Sequence, residues 1–239
     1  MTATFRAANL LLALCVAATL ILEIVLLATN RIDTLFAPPT TYVPFSTRLV
    51  NMFSFLTTLS NLLAGIVALL LAIRPERRGR MWRVIRMDAL LSIAAIGIAF
   101  QVLFAPHLEL DGAPLLLTVL FHVVNPLLAV LIWLVLDTRR QWAFRDVLWA
   151  LIWPAVYLMY VFVRGALVHW YPYALADVDA LGAGRAYLNG LGVLVLFFAL
   201  AVVAWIVDGR VPSLRTNERT VRGREVCGQG PNRVVLPRK

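Results

Sequence analysis

The sequence predicts an all-α polytopic membrane protein, six transmembrane helices in one bundle with both termini cytoplasmic. Three observations predict it. Of 239 residues, 61% are hydrophobic and 15% charged, against roughly 45–50% and about 25% in a soluble domain. The apolar excess falls in six runs, each of about the twenty residues that a helix needs to cross a hydrocarbon core of about 30 Å. The basic residues are split very unevenly between the two sets of loops, the usual orientation signal.

The runs are Ala8–Thr29, Leu49–Ile73, Met87–Phe104, Leu115–Asp137, Asp146–Val168 and Tyr187–Val207. Pro38, Pro39 and Pro44 precede the second, Arg74 and Pro75 follow it, and Pro106 and Pro114 flank the loop before the fourth. Such residues cannot continue a helix or mark its limits. The first run follows Arg6 and resembles a signal peptide, but it outruns a signal core and contains Glu23, so it reads as a retained span. Residues 1–207 therefore form the membrane domain. Residues 208–239 are polar, basic and without periodicity, a composition that predicts a disordered cytoplasmic tail attracted to anionic lipid.

Twenty-one arginines and one lysine give a net charge of +9. Eighteen of these cations lie at the N-terminus, in the loops after the second and fourth runs, and in the tail; only Arg31, Arg48, Arg164 and Arg185 lie on the other side. That asymmetry places both termini inside. It also excludes a nucleic-acid partner, because the charge forms membrane-flanking loops rather than a groove-binding face; anionic head groups are the partner it suits. The arginine-over-lysine bias fits a GC-rich bacterial genome, hence a bacterial inner membrane. Cys15 lies within the first run and Cys227 in the tail, a separation that suggests no disulfide.

Polar groups are costly inside a bilayer, so their depth is informative. At about 1.5 Å per residue, Thr57 and Thr58 lie about 12 Å below the outer boundary, His122 about 10 Å, Glu23 about 9 Å and Arg164 about 6 Å, with Tyr160 one turn deeper. Asn189 opens the sixth run at the same level. Five helices thus bring polar groups to the outer half; the inner half offers Asp88, Asp137 and Asp146, all within reach of basic loops. Helical phase aligns Asn51, Ser54, Thr58, Asn61 and Gly65 on one stripe, with Thr57 at its edge. Thr118, His122, Asn125, Ala129 and Trp133 form a second stripe, and Trp149, Trp153, Tyr157, Tyr160 and Arg164 a third. Pro126 cannot donate to the His122 carbonyl, so the fourth helix should kink or open at the histidine. Membrane threonines usually bond their own backbone or neighbouring helices, whereas an intramembrane histidine points to function.

Three segments then carry a resemblance: Asn51 to Leu63 with its Thr57-Thr58 pair, Phe121-His122-Val-Val-Asn125-Pro126, and Arg164 to Tyr173. Over residues 8–207 the chain resembles the bacterial branch of the androgen-induced-protein family of six-helix membrane proteins. Animal members are threonine hydrolases of esters between fatty acids and hydroxy fatty acids. The resemblance implies His122 as the histidine, and Thr57 or Thr58 as the nucleophile. An aromatic-X-Thr pattern favours Thr57; an asparagine three residues on favours Thr58.

The residues fit an intramembrane lipid-ester hydrolase. A threonine hydroxyl needs a base, and His122 is the one embedded side chain suited to neutral pH. Asn61 or Asn125 would donate to an oxyanion, Arg164 would hold a lipid carboxylate or head group, and Glu23 would orient His122. No cofactor is implied, and no metal, because His122, His107 and His169 lack ligand spacing. The alternatives are a small proton-coupled transporter, in which Glu23, Asp88, His122 and Arg164 line a relay, and a non-catalytic membrane assembly protein.

Overall fold

The computed structural model describes residues 2–30, 32, 43–103, 105 and 110–211. It contains α1 (Ala3–Ala28), α2 (Phe45–Met52), α3 (Leu56–Ile73), α4 (Arg80–Leu103), α5 (Gly112–Leu136), α6 (Phe144–Val168) and α7 (Ala183–Arg210). All but α2 are long and apolar enough to cross a membrane, and no strand occurs among the described residues. The chain is a multi-pass α-helical membrane protein. Its helices overrun the apolar runs: α4 starts seven residues before Met87, within the arginine loop, and α7 continues three past Val207. Of the expected tail, residues 212–239 lie outside the described residues.

One expected helix is two. The apolar run Leu49–Ile73 predicts one continuous helix, but the backbone leaves the helix at Phe53 and re-enters at Leu56, with Phe55 extended (φ −77°, ψ 133°). Tertiary partners, described below, override the local apolar pattern. α6 has a milder offset at Leu151, where Pro154 offers no N–H to the Ala150 carbonyl.

α4 is the centre of the bundle and packs against α3, α5, α6 and α7, while α1 packs chiefly on α3. More than half of the apolar window of α3 and of α4 is buried, 56% in each, against 22–33% for the other four spans. The outer four helices therefore keep a wide apolar face for lipid. One core cluster joins α4, α6 and α7 through Met87, Leu91, Val147, Val161, Phe197 and Ala201. A second joins α1, α3, α4 and α5 through Phe5, Val16, Ala68, Ile93 and Ile132.

The basic end is pinned by polar contacts. Arg83 pairs with Asp146 at 3.1 Å, and Arg86 bonds Asp137 and Gln141. Asp208, fully buried, accepts from the Gln141 and Trp142 amides at 2.6 and 3.1 Å, and Arg6 donates to the Ala72 carbonyl at 2.7 Å. Both described chain ends thus sit at this end. Asp88 behaves differently from its expected partners Asp137 and Asp146: it meets no arginine, and its buried Oδ1 has no hydrogen-bond partner.

Candidate active site

Broken backbone at membrane depth survives only where its N–H and C=O groups find partners. At the α2–α3 break α6 supplies them. The Tyr157 hydroxyl accepts from the Leu56 amide at 3.1 Å and donates to the Ser54 carbonyl at 3.0 Å. The Ser54 hydroxyl donates to the Val50 carbonyl at 2.7 Å and so receives the Tyr160 hydroxyl at 2.6 Å. The Thr57 amide donates to the Tyr173 hydroxyl at 3.4 Å. Thr57 is consequently the second residue of α3, at the positive end of the helix dipole.

The expected opening of α5 is present. Leu120–Val124 forms a π-helical turn, with the Asn125 amide bonded back to the Leu120 carbonyl. The His122 carbonyl, denied a donor by Pro126, faces Gly97 of α4. A Cβ at Gly97 would lie 3.2 Å from that oxygen and 3.0 Å from Pro126 Cβ, so the glycine is what lets α4 approach the turn. The His122 ring stacks on Phe100 with centroids 4.1 Å apart. Its Nδ1 lies 3.0 Å from the Thr118 carbonyl. A carbonyl only accepts, so Nδ1 carries the proton, and the neutral ring keeps a lone pair on Nε2. Nε2 lies 3.5 Å from Thr57 Oγ1.

A fully buried amide pair supports both groups. Asn61 donates to the Thr57 carbonyl at 2.9 Å and to the Phe121 carbonyl at 3.3 Å, tying α3 to α5 beside Thr57 and His122. Asn125 donates to Asn61 Oδ1 at 3.0 Å and to Thr19 Oγ1 at 3.3 Å, while Thr19 donates to the Cys15 carbonyl. All the amide hydrogens are taken. Asn61 and Asn125 therefore hold the frame and do not present donors to an oxyanion, which corrects the role expected from sequence.

Thr57 and His122 are brought together, both half-buried. Thr58, on the same turn, is 2% exposed and makes no hydrogen bond to His122. Glu23 does not reach the histidine either: Nδ1 is occupied by Thr118, and the buried Glu23 Oε2 has no partner. Arg164 donates to Asn51 Oδ1 at 2.6 Å and stacks over Trp170 at 4.6 Å. Tyr160 serves Ser54.

Tyr173 is the neighbour that sequence reasoning missed as a site residue. Its hydroxyl is 3.5 Å from Thr57 Oγ1. It follows α6 in a loop that depth counting along helices cannot reach, although it closes the third quoted segment. The loop turns back at His169, in the left-handed region (φ 51°), and packs Tyr171 onto Gly165, where a Cβ would come within 1.9 Å of the ring. Burial pushes the Tyr173 phenol above its ordinary value. Phe55 packs edge-on against both Trp170 and Tyr173.

No group of three metal-ligating side chains assembles among the described residues. Comparison with protein-family models, curated proteins and solved structures finds no match to this chain.

Proposed function

We propose that the protein is an intramembrane acyl hydrolase of lipid or fatty-acid esters, with Thr57 as nucleophile and His122 as base, in the outer half of a bacterial inner membrane and with both termini cytoplasmic. The observation that carries this reading is the 3.5 Å contact between Thr57 Oγ1 and His122 Nε2 on a ring whose other nitrogen is held by Thr118. It supports Thr57 rather than Thr58 as the nucleophile, the choice that the aromatic-X-Thr pattern of the resemblance also favours.

In the proposed reaction, His122 Nε2 takes the Thr57 proton as Oγ1 bonds the ester carbonyl carbon. The oxyanion forms beside the α3 N-terminus and the Tyr173 hydroxyl, the nearest donor to the reacting oxygen. Collapse expels the alcohol, which takes the proton from His122 and leaves an acyl-threonine. Water, deprotonated by the same nitrogen, releases the acid and restores Thr57. The Thr118 carbonyl holds the imidazolium in place, the task a third group performs in hydrolytic triads.

Thr57→Ser is expected to retain ester hydrolysis. Thr57→Val and His122→Ala should each lower turnover by at least about a hundredfold, and the double variant should add little, because nucleophile and base act as one unit. Turnover per folded molecule and labelling by a fluorophosphonate probe measure this; full activity in all of these variants would overturn the reading. A proton-coupled transporter is the second reading, favoured by the unpartnered buried carboxylate oxygens of Glu23 and Asp88. Proton-driven uptake without Thr57-dependent labelling would select it.

A further inference from the structure

At the basic end, Arg83 meets Asp146 and Arg86 meets Asp137, while the half-buried Arg139 donates to the Leu134 carbonyl of its own chain turn and lies over the Trp133 ring. Two arginines at the opposite end meet no carboxylate and are joined through one shared asparagine. Arg48, on α2, is only 8% exposed, yet its Nε is buried without a hydrogen-bond partner and no ion pair reaches its guanidinium among the described residues. Arg164, on α6, spends one nitrogen on Asn51 and one face on Trp170, while its Nη1 is buried without a partner. Asn51 links the two. It is one turn from Arg48 on the buried side of α2, and its Oδ1 accepts from Arg164. Glu23, the described carboxylate within α1 in this half of the bundle, makes no ion pair with either.

Buried guanidinium groups without acceptors are costly to hold, and they suit planar oxyanions that accept two N–H bonds at once. We infer that Arg48, Asn51 and Arg164 form a binding site for the anionic head group, carboxylate or phosphate, of an amphiphile lying along α6. In the sequence Arg48 is one charge among the loop arginines; its burial is what assigns it a role.

The site also has a fixed reach. Arg164 meets Asn51, Tyr160 meets Ser54 and Tyr157 meets Leu56, so α6 runs antiparallel to the α2–α3 segment. From Arg164 to Tyr157 is seven residues, about 10 Å along the axis, and Thr57 follows Leu56 directly. An anion held at the arginines therefore presents to Thr57 a bond about 10 Å away along its chain. This part rests on the hydrolase reading: the pair of arginines sets which ester, counted from the charged end, is cut.

Two measurements separate the site from the chemistry. The first is equilibrium binding of tetradecanoate and tetradecyl phosphate to the full chain in nanodiscs of uncharged lipid, with tetradecanol as control. At least one anion should bind and the alcohol should not. Arg48→Gln and Arg164→Gln should each weaken binding at least about tenfold, the effect expected for a charge-assisted pair. Binding of the carboxylate alone assigns a fatty-acid head group, and of the phosphate alone a phospholipid-like one. If the glutamine variants fail to fold, Asn51→Asp answers instead. It places a carboxylate between the arginines, so it should preserve or raise the melting temperature while abolishing anion binding. Equal binding of tetradecanol, or undiminished anion binding in folded variants, overturns the site.

The second measurement is the ratio of kcat/KM for nitrophenyl esters ending in a carboxylate to that for neutral esters of equal length. Wild type should favour the carboxylate series at the length that spans about 10 Å, and Arg48→Gln should collapse the ratio. If arginine-dependent binding holds while Thr57→Val changes no hydrolysis, the hydrolase reading fails and the anion site stands. If hydrolysis depends on Thr57 while the ratio ignores the arginines, the reverse holds.

Discussion

The Tyr157 hydroxyl closes both ends of the α2–α3 break with one oxygen, accepting from Leu56 and donating to Ser54. Removing it leaves a buried amide and a buried carbonyl unpaired. Tyr157→Phe is therefore expected to cost about 1–3 kcal/mol, read by thermal melting in detergent, and to lower turnover of the folded fraction by loosening Thr57. Tyr173 acts on the same segment, and its raised value has a sign. A phenol whose folded pKa exceeds the unfolded value near 10 adds stability that is full below about pH 10 and drains as pH rises through the folded value. On this account melting should be level from about pH 7 to 9 and fall beyond about 10, and Tyr173→Phe should lessen the alkaline fall. At this scale the sequence was informative where side chains ride on long helices. Depth alone put Thr57, Thr58 and His122 in one slab, and which threonine faces the histidine was not legible, because both share a turn. Tyr173 and the committed hydrogens of Asn61 and Asn125 were invisible, since loop paths and bond partners leave no periodic trace.

Among the helices, α5 was legible and the α2–α3 break was not, for physical reasons. Pro126 announces a missing donor, and the backbone answers with the π turn that presents His122. Phe53, Ser54 and Phe55 contain neither proline nor glycine, so nothing local marks the break; its cause lies about a hundred residues downstream in Tyr157 and Tyr160. Pro126→Ala restores the donor, which should let the turn tighten and draw His122 from Thr57. Turnover is expected to fall at least about tenfold with stability kept or raised by up to the roughly 3 kcal/mol that an interior helix proline costs. Gly97→Ala attacks the same turn from α4. Its Cβ at 3.0–3.2 Å from Pro126 and the His122 carbonyl should cost about 1–3 kcal/mol, while Gly192→Ala, which meets nothing within 4 Å, should not destabilise. Melting and activity of the three variants separate the effects.

For the whole molecule, the six spans followed from length and hydropathy, and their sequence limits fell short because helices continue beyond the apolar core into arginine-rich turns. The division into interior and lipid-facing helices followed only in part: α3 and α4 are less apolar than α1, α5 and α7, but the peripheral α6 is less apolar than α3, so hydropathy alone does not separate the two sets. Arginine asymmetry predicts that an alkaline phosphatase fused near Gly112 is active and one fused after Val207 is inactive. The opposite pattern would invert the bundle and place the Thr57 pair in the cytoplasmic half.

The stitched break also has a consequence in time. Residues 49–73 leave the ribosome well before Tyr157, Tyr160 and Tyr173 exist. Until α6 inserts, nothing holds the Ser54 carbonyl or the Leu56 amide, and a free backbone in lipid satisfies itself by remaining helical. The segment therefore enters the bilayer as the single unbroken rod that its apolar pattern describes. The later tyrosines then prise it open, so Thr57 gains its position at a helix start only once the fifth span and the loop beyond it are in place. The half-made protein carries a threonine in mid-helix, its amide spent on the turn before it, and the helix start beneath Thr57 arrives as one of the last acts of assembly.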